Sequence, residues 1–199
     1  MKTFFEFFRE SKDDIVVMTF GRFNPPTIGH LKLVNAMKKE ASKKRGKIHI
    51  YASQSHDPAK NPLKFSTKIK WMREIFKMKN EILDDMSVKH VFDILVKEYN
   101  SGTRHLTMVV GSDRVKAFDG MVNKYNGVEA KHGYYKFEGG VDVVSAGERD
   151  PDQDGAAGMS ASKMRAAAMD NDIEKFTQGL PNHVNADELM QEVRDGMGL

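Results

Sequence analysis

The 199-residue chain contains no cysteine. That excludes disulfides, thiolate nucleophiles and Cys-based zinc sites, and it fits a cytoplasmic protein. Tryptophan occurs once and proline six times. No run approaches the roughly 20 apolar residues of a membrane span, which argues against a membrane partner. A secretory signal is not expected, because Glu6 and Arg9 interrupt the phenylalanines of the first ten residues. Strong charge of one sign is also missing. The formal net charge of +3 argues against nucleic acid as the main partner. Neither a disordered nor a coiled-coil composition is present.

What is there reads as alternating strands and helices. IVVMTF (Ile15 to Phe20) is a buried-type strand ending at Gly21, and a proline-containing loop follows to Thr27. Leu31, Val34, Met37 and Ala41 then recur at helical spacing, with Gly46 expected as the stop. Further strands are expected at residues 48–52, near 80–83 and at 106–110, with one or two more at 134–144. Helices are expected at about 66–78, from a Ser87 cap to Tyr99, from Asp113 to about Tyr125, at 160–169, at 172–178, and from Asn185. For the last, Asn185 to Glu188 predicts a capping box. The alternation predicts an α/β, Rossmann-like, doubly wound parallel sheet of about five strands. Helices cover both faces, and a helical extension closes the C-terminus. The expected organisation is an amphipathic segment at 1–10, a main domain at 11–180 and a C-terminal helix at 181–199. Ligands of such folds bind beyond the carboxyl ends of the strands.

Two segments carry the chemistry. In GRFNPPTIGH (Gly21 to His30) a buried strand runs into a rigid loop and then a helix start. A helix N-terminus offers backbone N–H groups and partial positive charge to a phosphate. Gly29 permits close backbone approach, Thr27 adds a hydroxyl, and His30 adds a donor for charge growing on a phosphoryl oxygen. In MSASKMR (Met159 to Arg165), Ser160, Ser162, Lys163 and Arg165 sit at another helix start, all able to donate to phosphate. Taken alone, each segment also reads as a capped helix with solvated polar residues. Their occurrence together favours transfer over mere binding.

The first string resembles the T/H-x-G-H signature of the adenylyl- and cytidylyltransferase superfamily, and MSASKMR resembles its I-S-S-T-x-x-R signature. Ser53-Gln54-Ser55-His56 with Lys60-Asn61-Pro62-Leu63 resembles the loop after the second strand of archaeal-type nicotinamide mononucleotide adenylyltransferases. VVGSDR (Val109 to Arg114) resembles the Gly-x-Asp element after the fourth strand. The resemblance implies attack of an acceptor phosphate on the α-phosphorus of a nucleoside triphosphate, with pyrophosphate leaving. It implies His30, Thr27 and Arg165 as catalytic residues. Gly21, Arg22, Phe23, Asn24, Gly29, Ser160, Ser162 and Lys163 would bind nucleotide and phosphate. Ser53, His56, Asn61, Gly111 and Asp113 would bind the acceptor. Magnesium would accompany the triphosphate, with no dedicated protein metal site. The triphosphate is ATP or, as the alternative, CTP. The remaining alternatives are a non-catalytic nucleotide-binding or virion-packaged protein, and a homo-oligomer is compatible with the fold. Thr27 departs from the His usual in nicotinamide mononucleotide enzymes and is at home in pantetheine-phosphate adenylyltransferases. Pro25-Pro26 stands where Pro-Phe is usual.

MKTFFEFFRE (Met1 to Glu10) resembles the capsid-targeting peptides of internal proteins of large tailed phages. This implies a phage origin, cleavage after Glu10, and the capsid as a partner. The other reading is an amphipathic helix. Asp150 to Gly155 resembles the opening of a calcium loop, but Ala161 stands at the closing glutamate position, so a lid over the nucleotide site is the better reading. Glu148 and Arg149 at its base are placed to touch substrate. Trp71 is expected in the core, and the remaining histidines lack metal-ligand spacing.

Overall fold

The computed structural model describes residues 14–147 and 159–199. The N-terminal segment with Glu10, and the acidic loop with Glu148, Arg149 and the calcium-like motif, lie outside the described residues. Five strands, β1 (Ile15–Gly21), β2 (Lys47–Ala52), β3 (Ile82–Leu83), β4 (His105–Val110) and β5 (Val141–Ser145), form one parallel sheet in the order β3-β2-β1-β4-β5. Strand β1 pairs with β4 through Ile15 opposite His105 and Met18 opposite Met108, and β4 pairs with β5 from Leu106 opposite Val141 onward. The order reverses between β1 and β4, the switch point of a doubly wound sheet. Strand β4 is buried at five successive residues after His105, as a strand covered by helices on both faces must be.

The helices are α1 (Ile28–Lys44), α2 (Phe65–Phe76), α3 (Val91–Asn100), α4 (Val115–Asn123), α5 (Ala161–Met169), α6 (Ile173–Thr177) and α7 (Ala186–Met197). Among the described residues no helix is long and apolar enough to cross a membrane. The fold class is the expected one, with helices after the sheet at the C-terminus.

Two compact units divide the described residues. The first takes 14–20, Asn35–Ile50 and 85–147; the second takes Gly21–Val34, Tyr51–Asp84 and 159–199. The first unit buries Val16, Val17 and Met18 of β1, Leu106 to Val110 of β4, and Ile94 and Leu95 of α3. The second buries Trp71, Met72 and Ile75 of α2 with Met164, Phe176, Leu189 and Val193 of the later helices.

Several local expectations need correction. Gly46 does not take the left-handed position after α1: Arg45 does, at φ 57°. Gly46 instead donates to Ala41 O at 2.9 Å, and its missing Cβ would lie 2.8 Å from Ile15 Cγ2. Ser87 does not cap α3. Its hydroxyl donates to Asp85 at 2.6 Å, while Asp93 accepts from the His90 N–H, the residue that starts the helix. The helix expected from Asp113 opens as a 3-10 turn, Ser112–Arg114. The one or two strands expected at 134–144 resolve to one, β5, which is within that expectation. The backbone of Phe137 is held by the Asn126 side chain at 2.8 and 3.1 Å, so an amide replaces a ladder. The capping box of α7 is half made. Asn185 accepts from the Glu188 N–H at 3.2 Å, but the Glu188 carboxylate turns to Lys70 at 2.6 Å.

Candidate active site

The second unit holds both signature segments. At the end of β1, an added Cβ on Gly21 would lie 2.9 Å from the Phe23 ring, so glycine lets that ring fold back over the strand end. Phe23 occupies the left-handed region at φ 46°, unusual for a bulky residue, and is buried. Its ring centroid lies 4.9 Å from that of His30 and 5.9 Å from Phe76. The Asn24–Pro25 peptide is cis. The buried Asn24 amide donates to Leu63 O at 3.1 Å and accepts from Leu63 N at 2.9 Å. One side chain thus satisfies both backbone groups of a residue thirty-nine positions away.

His30 owes its protonation pattern to Thr27. The Thr27 backbone N–H donates to His30 Nδ1 at 3.0 Å, and Thr27 Oγ1 lies 3.1 Å from the same nitrogen. A backbone N–H can only donate, so Nδ1 accepts and the imidazole proton sits on Nε2. His30 is therefore a neutral Nε2–H donor. Thr27 is 1% exposed and lies behind the ring, an orienting position. The expected set of open N–H groups at this helix start is narrower than the sequence suggests. Ile28 N–H donates to Gly179 O at 2.8 Å, and His30 N–H to Thr27 O at 2.9 Å. A Cβ on Gly29 would lie 3.3 Å from both Met159 O and Thr27 Oγ1. The backbone that Gly29 admits is thus the start of the second signature.

In that second segment Ser160 is the N-cap of α5 and accepts from Lys163 N–H at 3.2 Å. Arg165 Nη1 donates to Asn24 O at 2.7 Å, and Nη2 to Ser162 Oγ at 3.1 Å. The Arg165 fork is therefore aimed by both signatures at once. Burial and then the nearby Arg22 guanidinium lower the Arg165 pKa, while Asp57 opposes them. Two like charges near each other, one partly buried, define a place that an anion would stabilise. Arg22, Ser162 and Lys163 are exposed.

The loop after β2 is organised from within. Ser53 N–H donates to Gly21 O at 2.8 Å, tying the loop to the end of β1. Lys68 of α2, fully buried, donates to Ser53 O at 2.6 Å, and burial pushes its pKa down to about 8. Asp57 accepts from Asn61 Nδ2 at 2.5 Å and from Lys60 N–H at 2.7 Å. Those bonds, the Asn61 amide foremost, hold its carboxyl below the usual range. Ser53 Oγ and Asn61 Oδ1 are buried with no hydrogen-bond partner among the described residues. His56 is exposed.

Gly111 and Asp113 belong to the first unit. There the Asp113 carboxylate folds back so closely that a Cβ on Gly111 would lie 2.6 Å from Oδ1. The second unit thus gathers Thr27, Gly29, His30, Asn24, Ser162 and Arg165 by direct contacts. Sequence reasoning did not single out Asp57 or Lys68. Asp57-Pro58 is a turn signal, and Lys68 falls on the buried face of α2 with Trp71, Met72 and Ile75. Both signals were readable.

The doubly wound α/β sheet thus carries a strand-to-helix segment with an oriented His30 N–H, and the partly buried Arg165 fork donates to Asn24 O in the same segment. A family model described as cytidylyltransferase-like matches residues 18–167, and the chain belongs to that family, within the nucleotidyltransferase superfamily. No curated protein matches it in sequence.

Proposed function

We propose that the protein transfers a nucleoside monophosphate from ATP to a phosphorylated acceptor of the mononucleotide class, with nicotinamide mononucleotide the first candidate. The observation that carries this reading is the meeting of the two signatures: Arg165 donates to Asn24 O while His30 is fixed as an Nε2–H donor at the start of α1, just after that loop. An oxygen of the acceptor phosphate attacks the α-phosphorus in line. A new P–O bond forms, the bond to the β-bridging oxygen breaks, and pyrophosphate departs with the electron pair. His30 Nε2–H donates to the charge that grows on the α-phosphoryl oxygens. Arg165, with Arg22, Ser162 and Lys163, holds the leaving pyrophosphate. No side chain need become covalently bonded, so positioning and charge stabilisation carry the acceleration.

These donors are N–H and O–H groups, which suit phosphate oxygens and not a bare metal ion. Magnesium would therefore arrive ligated by the triphosphate and neutralise part of its charge. The loop of Ser53, His56 and Asn61 is the proposed acceptor side. The test is pyrophosphate release from ATP and from CTP, each with nicotinamide mononucleotide, phosphopantetheine and other phosphorylated acceptors. Faster release with ATP and a mononucleotide supports the proposal. A clear preference for CTP would replace ATP by the cytidylyl reading.

A further inference from the structure

The C-terminal helix α7 lies beyond the region matched by the family, yet it touches both halves of the site. At Gly196 an added Cβ would lie 2.1 Å from Pro62 O and 2.7 Å from Pro62 C. Those are backbone atoms of the acceptor-side loop, so no flexible side chain can swing away. The next residue, Leu63, is the one whose N–H and C=O are both held by Asn24. Asn24 in turn offers its carbonyl to Arg165 at 2.7 Å. Two residues before Gly196, Arg194 Nη1 donates to Ala168 O at 2.5 Å, on the helix that carries Arg165. The opposite flank of α7 is anchored on α2, where Glu192 accepts from Trp71 Nε1 and Lys70 reaches Glu188 at 2.6 Å.

We infer that α7 is a positioning element of the transfer site: Gly196 against Pro62, and Arg194 on Ala168, together set the distance between the Asn24 loop and the Arg165 fork. The route is short: a shift at Pro62 passes to Leu63, through the buried Asn24 side-chain amide to the Asn24 backbone, and from Asn24 O to the guanidinium. Among the described residues, Arg165 donates one hydrogen bond to that route and another to Ser162 on its own helix. Moving the loop relative to α5 would therefore rotate the fork, not remove it. Gly196 and Arg194 touch no substrate in this account. They act through Arg165.

The inference rests on the reading of Arg165 as the pyrophosphate-holding residue, and the test separates the two. Inorganic pyrophosphate with magnesium is titrated calorimetrically into the 199-residue protein, its Arg165→Met, Gly196→Ala and Arg194→Met variants, and Gly120→Ala as control. A Cβ at Gly120 meets nothing within 4 Å. Arg194→Met cuts the tie to α5 without adding bulk against Pro62, so it serves even where Gly196→Ala fails to fold. The expected result is wild-type binding for Gly120→Ala, strong loss for Arg165→Met, and about tenfold weaker binding at unchanged stoichiometry for the α7 variants. Folded α7 variants that bind as tightly as wild type overturn the inference. So does a fall in stoichiometry with unchanged affinity, which is the signature of a merely structural role. Wild-type binding by Arg165→Met would instead overturn the reading of Arg165 itself.

Discussion

At the scale of single residues, His30 is defined by what lies behind it. The Thr27 backbone N–H fixes the tautomer, and the Phe23 ring fixes the plane. His30→Ala removes the Nε2–H donor, and kcat should fall roughly 100- to 1,000-fold with the fold retained by circular dichroism. Thr27→Val separates orientation from contact. It deletes the hydroxyl but keeps the backbone N–H on Nδ1, so a loss of no more than about tenfold is expected, the scale of one hydrogen bond. A loss as deep as that of His30→Ala would put the Thr27 hydroxyl on the substrate. The sequence pointed to both side chains as phosphate donors. It could not show that one is buried behind the other, because a one-turn separation on a helix start is compatible with either orientation.

At the scale of elements, the loops are held by side-chain amides and carboxylates more than by regular ladders. Asn24 fastens the loop after β1 to Leu63, and Asp57 closes the loop after β2 onto Asn61. Asn24→Ala would leave the N–H and C=O of buried Leu63 without their partner. A stability loss of about 3 kcal/mol in urea unfolding is expected, and a change under about 1 kcal/mol would show the clamp to be dispensable. The strands and long helices were legible because burial imposes a period, as in Ile15 to Phe20 and Leu31 to Ala41. The caps were less so. Ser87 and Glu188 are good capping residues by type, yet the neighbouring Asp85 takes the first and the sequence-distant Lys70 the second. Gly46 likewise looked like a helix stop but serves close approach to Ile15. Where two elements press together, the reason for a small residue lies in a distant segment that local sequence does not reveal.

At the scale of the whole molecule, one buried charge makes stability depend on pH. Lys68 has a folded pKa of about 8 against an ordinary 10.5, and burial is the cause. Between those values the unfolded chain binds the extra proton, so stability rises with pH across this window and the penalty is fully present below it. Relative to Lys68→Met, wild type should gain up to about 3 kcal/mol between pH 7.5 and pH 11, as order of magnitude. Denaturant midpoints at a series of pH values check this, and a flat difference would mean that Lys68 is solvated in the folded state. The same lysine holds the Ser53 carbonyl, so the loop after β2 rests on an ammonium that the protein keeps buried at a cost. The account's central claim, nucleotidyl transfer by the paired signatures, is tested most directly by following label from the α-phosphate of ATP and of CTP across a panel of phosphorylated acceptors. It predicts label in an acceptor-joined product, one pyrophosphate released per transfer, and loss of both in His30→Ala. Unlabelled acceptors with both triphosphates, or a His30→Ala protein turning over at the wild-type rate, would contradict it.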